Sequence, residues 1–503
     1  MTVQASDFDL LVVGGGINGA GIARDAAGRG VKTVLIDQGD FGGATSSAST
    51  KLVHGGLRYL EHYEFRLVAE SLAEREVVLR LAPHLVAPLR FVMPHVPALR
   101  PAWMIRAGLW LYDHMGGQHI LPGSKGVRLR GNLSGAGLKP EFTRGFSYFD
   151  AWVDDARLVI LNLKSARHHG AVLMPRTRLL SAVRKDGYWH ATLEDVETER
   201  RFELSARVLV NAAGPWVKQV VERTEGQVSA EVRLVKGSHI VVPRVHEGNH
   251  AYILQNTDKR VIFVIPYQKS YSLIGTTDIA IEAMSQAQSI AGDEIRYLLA
   301  AVNRYLAKGL TEADVVWSYT GVRPLYDDGN GDPAAITRDY TLVVDERDGV
   351  AQLAVFGGKL TTYRKLAEAV LDKLVPWLTY HRGSWTDREA LPGGEFDASR
   401  RETELASILA SYPQLPPEWI RDLFQRHGLC VRAVLEEARI LADLGEDFGG
   451  GLYEREVDYC IAHEWAMSAE DLLWRRTKAG LHMTAAQRDH FVLWFSGVRV
   501  ARQ

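Results

Sequence analysis

Three glycines and one aspartate near the start of the chain have the types and spacing to hold a dinucleotide. Gly14, Gly16 and Gly19 form the pattern G-x-G-x-x-G, and Asp37 follows 18 residues after the last of them. The first glycine permits a tight turn, the second lets the backbone approach a pyrophosphate, and the third lets a helix pack closely on a strand. The carboxylate of Asp37 can accept hydrogen bonds from ribose hydroxyls and would repel a 2′-phosphate. The pattern predicts dinucleotide binding rather than a plain strand–helix turn, without separating FAD from NAD.

The elements around these residues form a predicted β-α-β unit. The apolar run Leu10 to Val13 is typical of a buried parallel strand, a helical pattern runs from Ile17 to Arg29, and Thr33 to Ile36 predicts a second buried strand. The free N–H groups and the positive dipole end of the helix N-terminus then face the bound anion.

Two later segments repeat the junction between a buried strand and a glycine. Residues 207–214 and 353–358 are apolar runs that end in glycine, and a helix is predicted from Lys359 to Lys373. Strand ends of this kind face a ligand in doubly wound sheets. Residues 231–330 instead alternate over long stretches, which predicts an antiparallel sheet.

The last part of the chain changes character. Residues 389–503 have weak strand signals and predict a separate helical domain that begins after Pro392-Gly393-Gly394. The predicted helices cover residues 399–411, 417–427, 430–442, 453–468 and 485–499.

Composition excludes several classes of protein. With 46% hydrophobic and 24% charged residues the chain is an ordinary globular one, and its net charge of −2 argues against a nucleic-acid binder. The cysteines, Cys430 and Cys460, form no C-x-x-C motif and suit a reducing compartment. The polar N-terminus lacks the build of a signal peptide, and no apolar run is long enough to span a bilayer. No cluster of metal ligands is predicted.

Residues 83–130 are basic and aromatic, unlike the rest of the chain. They hold six Lys and Arg residues against the single acid Asp113, and a helix is predicted to begin near Pro101. Large apolar side chains such as Trp103 and Trp110 are interleaved with the cations. This pattern favours contact with an anionic membrane surface, and the alternative is an ordinary buried helix with solvated arginines.

Segments distributed along essentially the whole chain carry a resemblance to a known family. They are GGGINGAGIARDAAGRG, ATSSASTKLVHGGLRYLEHYEFRLV, VDDARL, NAAGPW, KGSHIVVPR, FVIPY, GTTD, GVRPL, ITRDY and FGGKLTTYRKLAE. In this order they resemble the FAD-dependent, membrane-associated glycerol-3-phosphate dehydrogenases of respiratory chains. Many segments in one order are more specific than any single motif.

The resemblance implies a fold and a division of the chain. The fold is α/β, with a Rossmann-like FAD-binding domain, an antiparallel-sheet substrate cap and a C-terminal all-helical domain. The oxidoreductase region would cover residues 1–388 and the helical domain residues 389–503. Within the first region, FAD-binding parts are expected at about 1–82, 151–220 and 331–388, and cap parts at about 83–150 and 221–330.

The resemblance also implies an activity and its partners. The enzyme would oxidise sn-glycerol 3-phosphate to dihydroxyacetone phosphate and pass electrons through FAD, usually held non-covalently, to a membrane quinone. It would lie in the cytoplasm, peripheral on the inner face of the cell membrane, as a homodimer.

A small dianionic substrate requires fixed cations, and arginine is the best phosphate clamp because its planar fork donates two parallel hydrogen bonds. The motifs of the family supply the cationic candidates Arg58, Arg323, Arg338 and Lys359, with Tyr59 and Thr277 as hydroxyl donors.

Oxidation removes a hydride from C2 of the substrate and a proton from the attached hydroxyl, so the site needs a base. We expect His239 to be that base, since an imidazole titrates near neutral pH. Arg323 is the rival; its pKa above about 12 suits it better to stabilise a developing alkoxide. Both residues therefore stay open as the base.

The loop after Asp37 is rich in small and hydroxyl residues, which suits contact with a phosphate or a flat ring. With the motifs of the family it gives the predicted flavin contacts Gly14, Gly16, Gly19, Asp37, Thr45, Ser46, Ser47, Lys51, Leu52, Gly214, Lys359, Leu360 and Thr361, and His54 near the isoalloxazine.

Three other functions compete with this one. An oxygen-using glycerol-3-phosphate oxidase would share the phosphate clamp, but the basic, aromatic stretch at 83–130 favours a quinone enzyme. An amine or amino-acid oxidase of the same flavin class fits a cluster of cations less well. A flavin-holding sensor would need no such cluster and would show no turnover.

Overall fold

The computed structural model describes residues 8–117, 120–224, 231–258, 260–327 and 339–502. Its strands are β1 (Phe8–Val13), β2 (Thr33–Ile36), β3 (Leu52–Val53), β4 (Val86–Pro94), β5 (Lys125–Arg128), β6 (Arg144–Val153), β7 (Val172–Met174), β8 (Thr177–Lys185), β9 (Tyr188–Asp195), β10 (Arg201–Asn211), β11 (Glu231–Pro243), β12 (Ala251–Gln255), β13 (Val261–Tyr267), β14 (Tyr271–Gly275), β15 (Ile279–Ile281), β16 (Trp317–Asp327), β17 (Thr341–Arg347) and β18 (Val350–Phe356).

The α-helices are α1 (Ile17–Gly28), α2 (Phe65–Leu81), α3 (Ala102–Asp113), α4 (Asp155–His168), α5 (Val217–Glu222), α6 (Gly292–Asn303), α7 (Tyr363–Leu374), α8 (Arg401–Ser411), α9 (Pro417–His427), α10 (Val431–Leu435), α11 (Glu454–Glu464) and α12 (Ala485–Arg502). Short 3-10 turns at Thr45–Ser47, Leu57–His62 and Gly214–Trp216 border the cavity described below, and a π-helical turn covers Asp471–Arg476.

The first sheet confirms the predicted Rossmann-like arrangement. Its strand order is β17-β18-β10-β1-β2-β7, with β9 antiparallel to β10 and β8 to β9. β1 lies parallel to both β2 and β10, and all four residues of β2 are buried. An apolar core between this sheet and the helices α1, α4 and α7 forms because their small and aliphatic side chains pack there.

The second sheet is the antiparallel one expected from residues 231–330. Its order is β15-β11-β14-β13-β12-β4-β6-β3, with β16 paired to β11 and β5 to β6. All its pairings are antiparallel except that of β12 with β4. The strand β6 extends to Val153 and β3 lies at Leu52–Val53, so the sheet takes residues from beyond the predicted cap parts. The domain boundaries themselves stay a prediction.

The C-terminal region is helical, as predicted, and has its own buried core of aliphatic and aromatic side chains. The prediction of a helix over 430–442 is wrong. The helix α10 ends at Leu435, because Glu436 takes a positive φ of 47° and the Asp443 carboxylate accepts hydrogen bonds from the backbone N–H groups of Arg439 and Ile440. These local bonds replace the helical ones and turn the chain.

Buried side chains join the helical region to the two sheets. Arg157 of α4 forms a fully buried ion pair with Glu464 of α11. Trp474 stacks on Trp317 of β16, with ring centroids 5.0 Å apart and ring planes at 19°. The helical region therefore packs as part of one body rather than as an appendage.

The helix α3 presents apolar side chains to solvent. Its inward face buries Ile105, Leu109 and Tyr112, whereas Trp103 and Trp110 are 70% and 56% exposed. Within the described ranges, no helix has the length and apolar character needed to cross a bilayer.

Candidate active site

A cavity of about 730 Å³ lies where the two sheets meet. On one side it is lined by the carboxyl ends of β1, β2, β10 and β18, which is where doubly wound sheets bind ligands. On the other side it is lined by residues of β11, β13 and β16 from the second sheet. The cavity thus joins the predicted dinucleotide motif to the predicted substrate residues.

The three glycines of the motif form a close backbone cradle at one end of the cavity. Gly14 has a φ of +111°, and a Cβ there would lie 2.5 Å from the carbonyl oxygen of Ala212. A Cβ on Gly19 would lie 1.9 Å from the carbonyl oxygen of Gly14, so this glycine lets α1 pack against the end of β1. Gly16 is the N-cap of α1 and faces Ser46. This geometry leaves room for a pyrophosphate at the helix N-terminus.

Asp37 lies at the end of β2 and lines the same part of the cavity. Its carboxylate accepts hydrogen bonds from the backbone N–H groups of Gly15, at 2.6 Å, and Gly39, at 2.7 Å. Burial raises the pKa of Asp37, and the two N–H donors oppose that rise. The side chain is thus fixed by the backbone on the side of the cavity where the ribose of a dinucleotide would lie.

The loop at residues 45–54 contributes unequally to the cavity. Thr45, Ser46, Leu52 and His54 line it, and the Ser46 hydroxyl accepts a hydrogen bond from the backbone N–H of Ile17. Burial lowers the pKa of His54.

Two of the predicted flavin contacts in this loop, Ser47 and Lys51, do not line the cavity. The Ser47 hydroxyl donates to the carbonyl of Ala44. The Lys51 ammonium is fully buried and forms an ion pair with Asp155 at 2.7 Å. A flavin contact through the side chain of Lys51 therefore has no support from its position.

The remaining predicted flavin contacts lie on loops that follow β10 and β18. Gly214, with a φ of +55°, and the pair Leu360 and Thr361 line the cavity. The Thr361 hydroxyl accepts a hydrogen bond from the backbone N–H of His54 at 3.2 Å, which ties the two loops together.

The donor set of the cavity fits FAD. The glycine cradle leaves no space for side chains where a pyrophosphate would bind, and Asn18, which lines the cavity, has a buried amide oxygen with no hydrogen-bond partner within the described ranges. The long cavity continues from this cradle to His239, so a flavin ring at its inner end would meet the substrate residues.

His239 lies on β11 at that inner end and is 2% exposed. Its Nε2 lies 3.0 Å from the Thr50 hydroxyl oxygen, and its ring stacks on Tyr319. Nδ1 has no hydrogen-bond partner among the residues that the structure describes. Burial, and then the positive charges of Arg323 and Lys51, hold the pKa of His239 well below its ordinary value. The lowered pKa favours the neutral form of the imidazole.

Arg323 lines the cavity from β16 and is 40% exposed. Its guanidinium donates to the Asp278 carboxylate at 2.9 Å and lies 3.5 Å from the Thr276 hydroxyl. Gly237 on the neighbouring strand makes room for it, since a Cβ there would lie 2.7 Å from the guanidinium. The paired, positively charged group is placed to attract an anionic substrate.

Thr277, predicted as a hydroxyl donor to substrate, points away from the cavity. It is 1% exposed, accepts a hydrogen bond from the backbone N–H of Ser238 and donates to Glu294. The neighbouring Thr276 lines the cavity instead.

Lys359 and Tyr59 both line the cavity and lie against each other. The Lys359 ammonium is 3.9 Å from the centroid of the Tyr59 ring. Arg58 lies in the 3-10 turn Leu57–His62, and its side chain is outside the described part of the structure. Arg338 also lies outside the described residues. Of the four predicted cations, the structure therefore describes the side chains of two, Arg323 and Lys359, and both line the cavity.

Sequence reasoning missed several residues that shape the site. Thr50 and Tyr319 hold the His239 ring, and Asp278 pairs with Arg323. Asp278 stands in the segment GTTD, where an acid beside two threonines was the available signal. Thr50 and Tyr319 carry no local signal, because they reach His239 through pairings between distant parts of the chain. Across the described ranges, no group of three or more His, Cys, Asp or Glu residues could hold a metal ion.

Comparison with known proteins agrees with this geometry. A family model described as FAD dependent oxidoreductase matches residues 9–364, and one described as the C-terminal domain of alpha-glycerophosphate oxidase matches residues 384–491. Aerobic glycerol-3-phosphate dehydrogenase of Escherichia coli (strain K12) is 51% identical over 488 residues, which cover 97% of each chain. D-erythritol 1-phosphate dehydrogenase of Brucella abortus (strain 2308) is 49% identical over 98% of each chain.

A solved structure shares the whole architecture. The glycerol-3-phosphate dehydrogenase from Bacillus halodurans, complexed with FAD, is 26% identical and superposes with a TM-score of 0.75, covering 98% of this chain and 94% of the other.

Proposed function

The chain belongs to the family of FAD-dependent glycerol-3-phosphate dehydrogenases, and we propose that it oxidises sn-glycerol 3-phosphate to dihydroxyacetone phosphate and passes the electrons to a respiratory quinone. FAD is its cofactor. The observation that carries the proposal is the neutral, buried His239 in a cavity that Arg323 and the nucleotide cradle share.

The proposed chemistry divides two transfers between the cofactor and the chain. When bound, the flavin accepts the hydride from C2 of the substrate at its N5 atom. His239 accepts the proton of the C2 hydroxyl, because its depressed pKa keeps it unprotonated before the reaction. Arg323 stabilises the negative charge that develops on the oxygen, since a cation held in place before the reaction needs no reorganisation to act on such a charge. The alternative, Arg323 as the base, would require loss of a proton from a guanidinium.

The phosphate end of the substrate needs cations held apart from the hydride-transfer centre. We assign this role to Lys359, with Tyr59 against it, and keep Arg58 and Arg338 as further candidates from the sequence. Thr276 replaces Thr277 as the hydroxyl donor, because it faces the cavity.

The flavin contacts are proposed from the same cavity. The glycine cradle would hold the pyrophosphate, Asp37 the ribose, and Ser46, His54, Gly214 and Thr361 the remaining parts of the cofactor. The position of Ser47 outside the cavity leaves it only a supporting role in the loop.

The exposed face of α3 supports a peripheral place on a membrane. Trp103, Met104 and Trp110 project from it, and the nearby Arg106 and Lys125 are exposed. Interfacial helices combine aromatic side chains with cations that meet anionic lipids. We therefore propose attachment to the cytoplasmic face of the cell membrane, where a quinone acceptor is available, and a homodimer as the assembled form.

The deciding experiment is an anaerobic absorbance titration of the purified yellow protein with sn-glycerol 3-phosphate. Bleaching of the flavin bands, followed by much faster reoxidation with a soluble quinone than with oxygen, is the expected result. Fast reoxidation by oxygen would instead assign the oxidase activity. An unchanged spectrum in fully flavinated protein would reject the substrate.

A tetritol phosphate is the second candidate substrate, because the relative named D-erythritol 1-phosphate dehydrogenase is almost as similar as the glycerol-3-phosphate dehydrogenase. The same titration with D-erythritol 1-phosphate separates the two. We expect glycerol 3-phosphate to reduce the flavin at the lower concentration.

A further inference from the structure

The helical C-terminal region contributes part of the wall of the cavity. Ser468, Glu470, Asp471 and Arg475 line it together with Asp37 and the residues that follow Asp37. Asp37 marks the ribose side of a dinucleotide site. The C-terminal residues therefore lie at the end of the cavity where the adenosine half of FAD would bind, far along the chain from the glycine motif.

A buried network of ion pairs attaches this wall to the loop that carries Asp37. The Arg475 guanidinium donates to the Asp40 carboxylate at 2.5 Å, and Arg476 donates to both oxygens of the same carboxylate at 2.7 Å. Asp40 is 5% exposed and Arg476 is fully buried. The loop after β2 is thus held by two arginines of the C-terminal region.

A second part of this ion-pair network contacts the same loop through Arg176, next to β8. Arg176, which immediately precedes β8, donates to both oxygens of Asp471, at 2.9 and 3.0 Å, and its backbone N–H donates to the carbonyl of Gly39. Asp471 is fully buried and also accepts from Arg475 and from the backbone N–H groups of Met467 and Ser468. The buried charges of Asp40, Asp471 and Arg476 are therefore all paired. Buried ions are stable, and fix a geometry, only when they are paired in this way.

These contacts preorganise the loop that carries Asp37 before a ligand binds. The backbone N–H of Gly39 donates to Asp37, and the Gly39 carbonyl accepts from the backbone N–H of Arg176. The position of the Asp37 carboxylate therefore depends on a loop that the ion-pair network holds in place. A site whose groups are fixed before binding loses less entropy when the ligand arrives. Without this network, the loop would have to be ordered by the ligand itself.

We propose that residues 468–475 are a cofactor-binding element that forms the wall for the adenosine half of FAD, and that the Asp471–Arg475 pair positions the ribose loop. The proposal rests on FAD occupying the cavity. It makes retention of the cofactor a property of the C-terminal region as well as of the Rossmann-like part.

The first test uses the wild-type protein after removal of its flavin. Hydrogen exchange is measured with and without FAD, and again with ADP, which carries only the adenosine end. We expect both ligands to protect the backbone of residues 468–475 together with residues 37–43. Protection of the glycine cradle with no change at 468–475 overturns the proposal. Failure of FAD to bind at all would reject the cofactor assignment, which is a separate outcome.

The second test measures the dissociation constant of FAD by the change in flavin fluorescence on binding, and that of ADP by its competition with FAD. Arg475→Met should weaken binding of FAD and of ADP by about tenfold or more, because a charge-assisted contact of the wall is lost. Arg439→Met is the matched control; Arg439 is 56% exposed, pairs with Glu437 and does not line the cavity. Equal affinities in the two variants, or a loss for FAD without a loss for ADP, overturns the proposal. If Arg475→Met does not fold, the hydrogen-exchange result on the wild-type protein decides.

Discussion

The rings of His239 and Tyr319 lie face to face, with centroids 4.9 Å apart and planes at 18°. The Tyr319 hydroxyl donates to the carbonyl of Ser49 at 2.8 Å, and the next residue, Thr50, contacts Nε2 of His239. The imidazole is therefore held on its face and at one edge. Such a ring can accept a proton without first being oriented, which is what a general base requires.

Replacement of this base should stop the reductive half-reaction without loss of the flavin. We expect His239→Asn to lower the rate constant of flavin reduction by about 100- to 10,000-fold, because that is the usual contribution of a positioned base. Anaerobic stopped-flow absorbance measures it. His190→Asn, an exposed histidine on β9, is the control and should react normally. Near-normal reduction in the His239 variant would transfer the role of base to another group.

The pH dependence of the same step follows from the environment of His239. Burial and the charge of Arg323 lower its pKa, so the neutral form persists below the ordinary range of histidine. We expect flavin reduction to change little between about pH 8 and about pH 6, with its acid limb at lower pH. In Arg323→Gln the removal of a positive neighbour raises the pKa, and the acid limb should move to higher pH. A limb that stays in place in this variant contradicts the proposed electrostatic coupling.

The phosphate role of Lys359 predicts a loss specific to substrate binding. Lys359→Met should lower kcat/KM for sn-glycerol 3-phosphate by about 10- to 100-fold, the usual effect of losing a hydrogen bond to a charged group. Steady-state kinetics with a soluble quinone provides the measurement. Lys365→Met is the control, because Lys365 is half-exposed and pairs with Glu368 on the same helix. Equal kinetics in the two variants would place the phosphate elsewhere.

The glycine cradle makes a sharp stability prediction. Gly19→Ala places a methyl group against the carbonyl of Gly14 and should lower the melting temperature by about 5 °C or more, with loss of bound FAD. Gly108→Ala in α3 meets no atom within 4 Å and should leave FAD bound and raise the melting temperature slightly, because alanine favours helix. Thermal melting followed by flavin absorbance tests both. Retained flavin in Gly19→Ala would show that the cradle tolerates a side chain.

Membrane attachment should depend on the exposed tryptophans of α3. The double variant Trp103→Ala and Trp110→Ala should reduce the fraction that sediments with anionic vesicles by about tenfold, since large aromatic areas leave the interface. Leu493→Ala on α12, where Leu493 is 74% exposed, is the control for general loss of surface apolarity. Unchanged sedimentation of the double variant would contradict the assignment of this face.

The sequence predicted best what is local and periodic. The unit β1–α1–β2 appears where the apolar runs and glycines placed it, with α1 ending at Gly28. By contrast, the start of α2 at Phe65 has no clear sequence signal; it follows a 3-10 turn, Leu57–His62, whose C-cap Tyr63 has a positive φ of 58°. A single residue in the left-handed region breaks the helix without altering the apolar pattern.

Site residues that depend on the direction of a side chain were harder to predict. The motif containing Thr276 and Thr277 was found, but which threonine faces the cavity depends on the connection that follows β14, which leaves the strand at Gly275, opposite His239. The Asp40–Arg476 ion pair joins residues 436 positions apart. Such partners are fixed by the packing of whole domains, which no local spacing encodes.

The stacked indoles of Trp317 and Trp474 limit how this protein can evolve by exchange of parts. Trp317 in turn lies 5.1 Å from Tyr319, so ring contacts run from the C-terminal region to the residue that supports His239. A recombination event near residue 389 that brought in a foreign C-terminal segment would have to supply a matching ring at position 474. The two sides of this contact are therefore expected to change together among descendants.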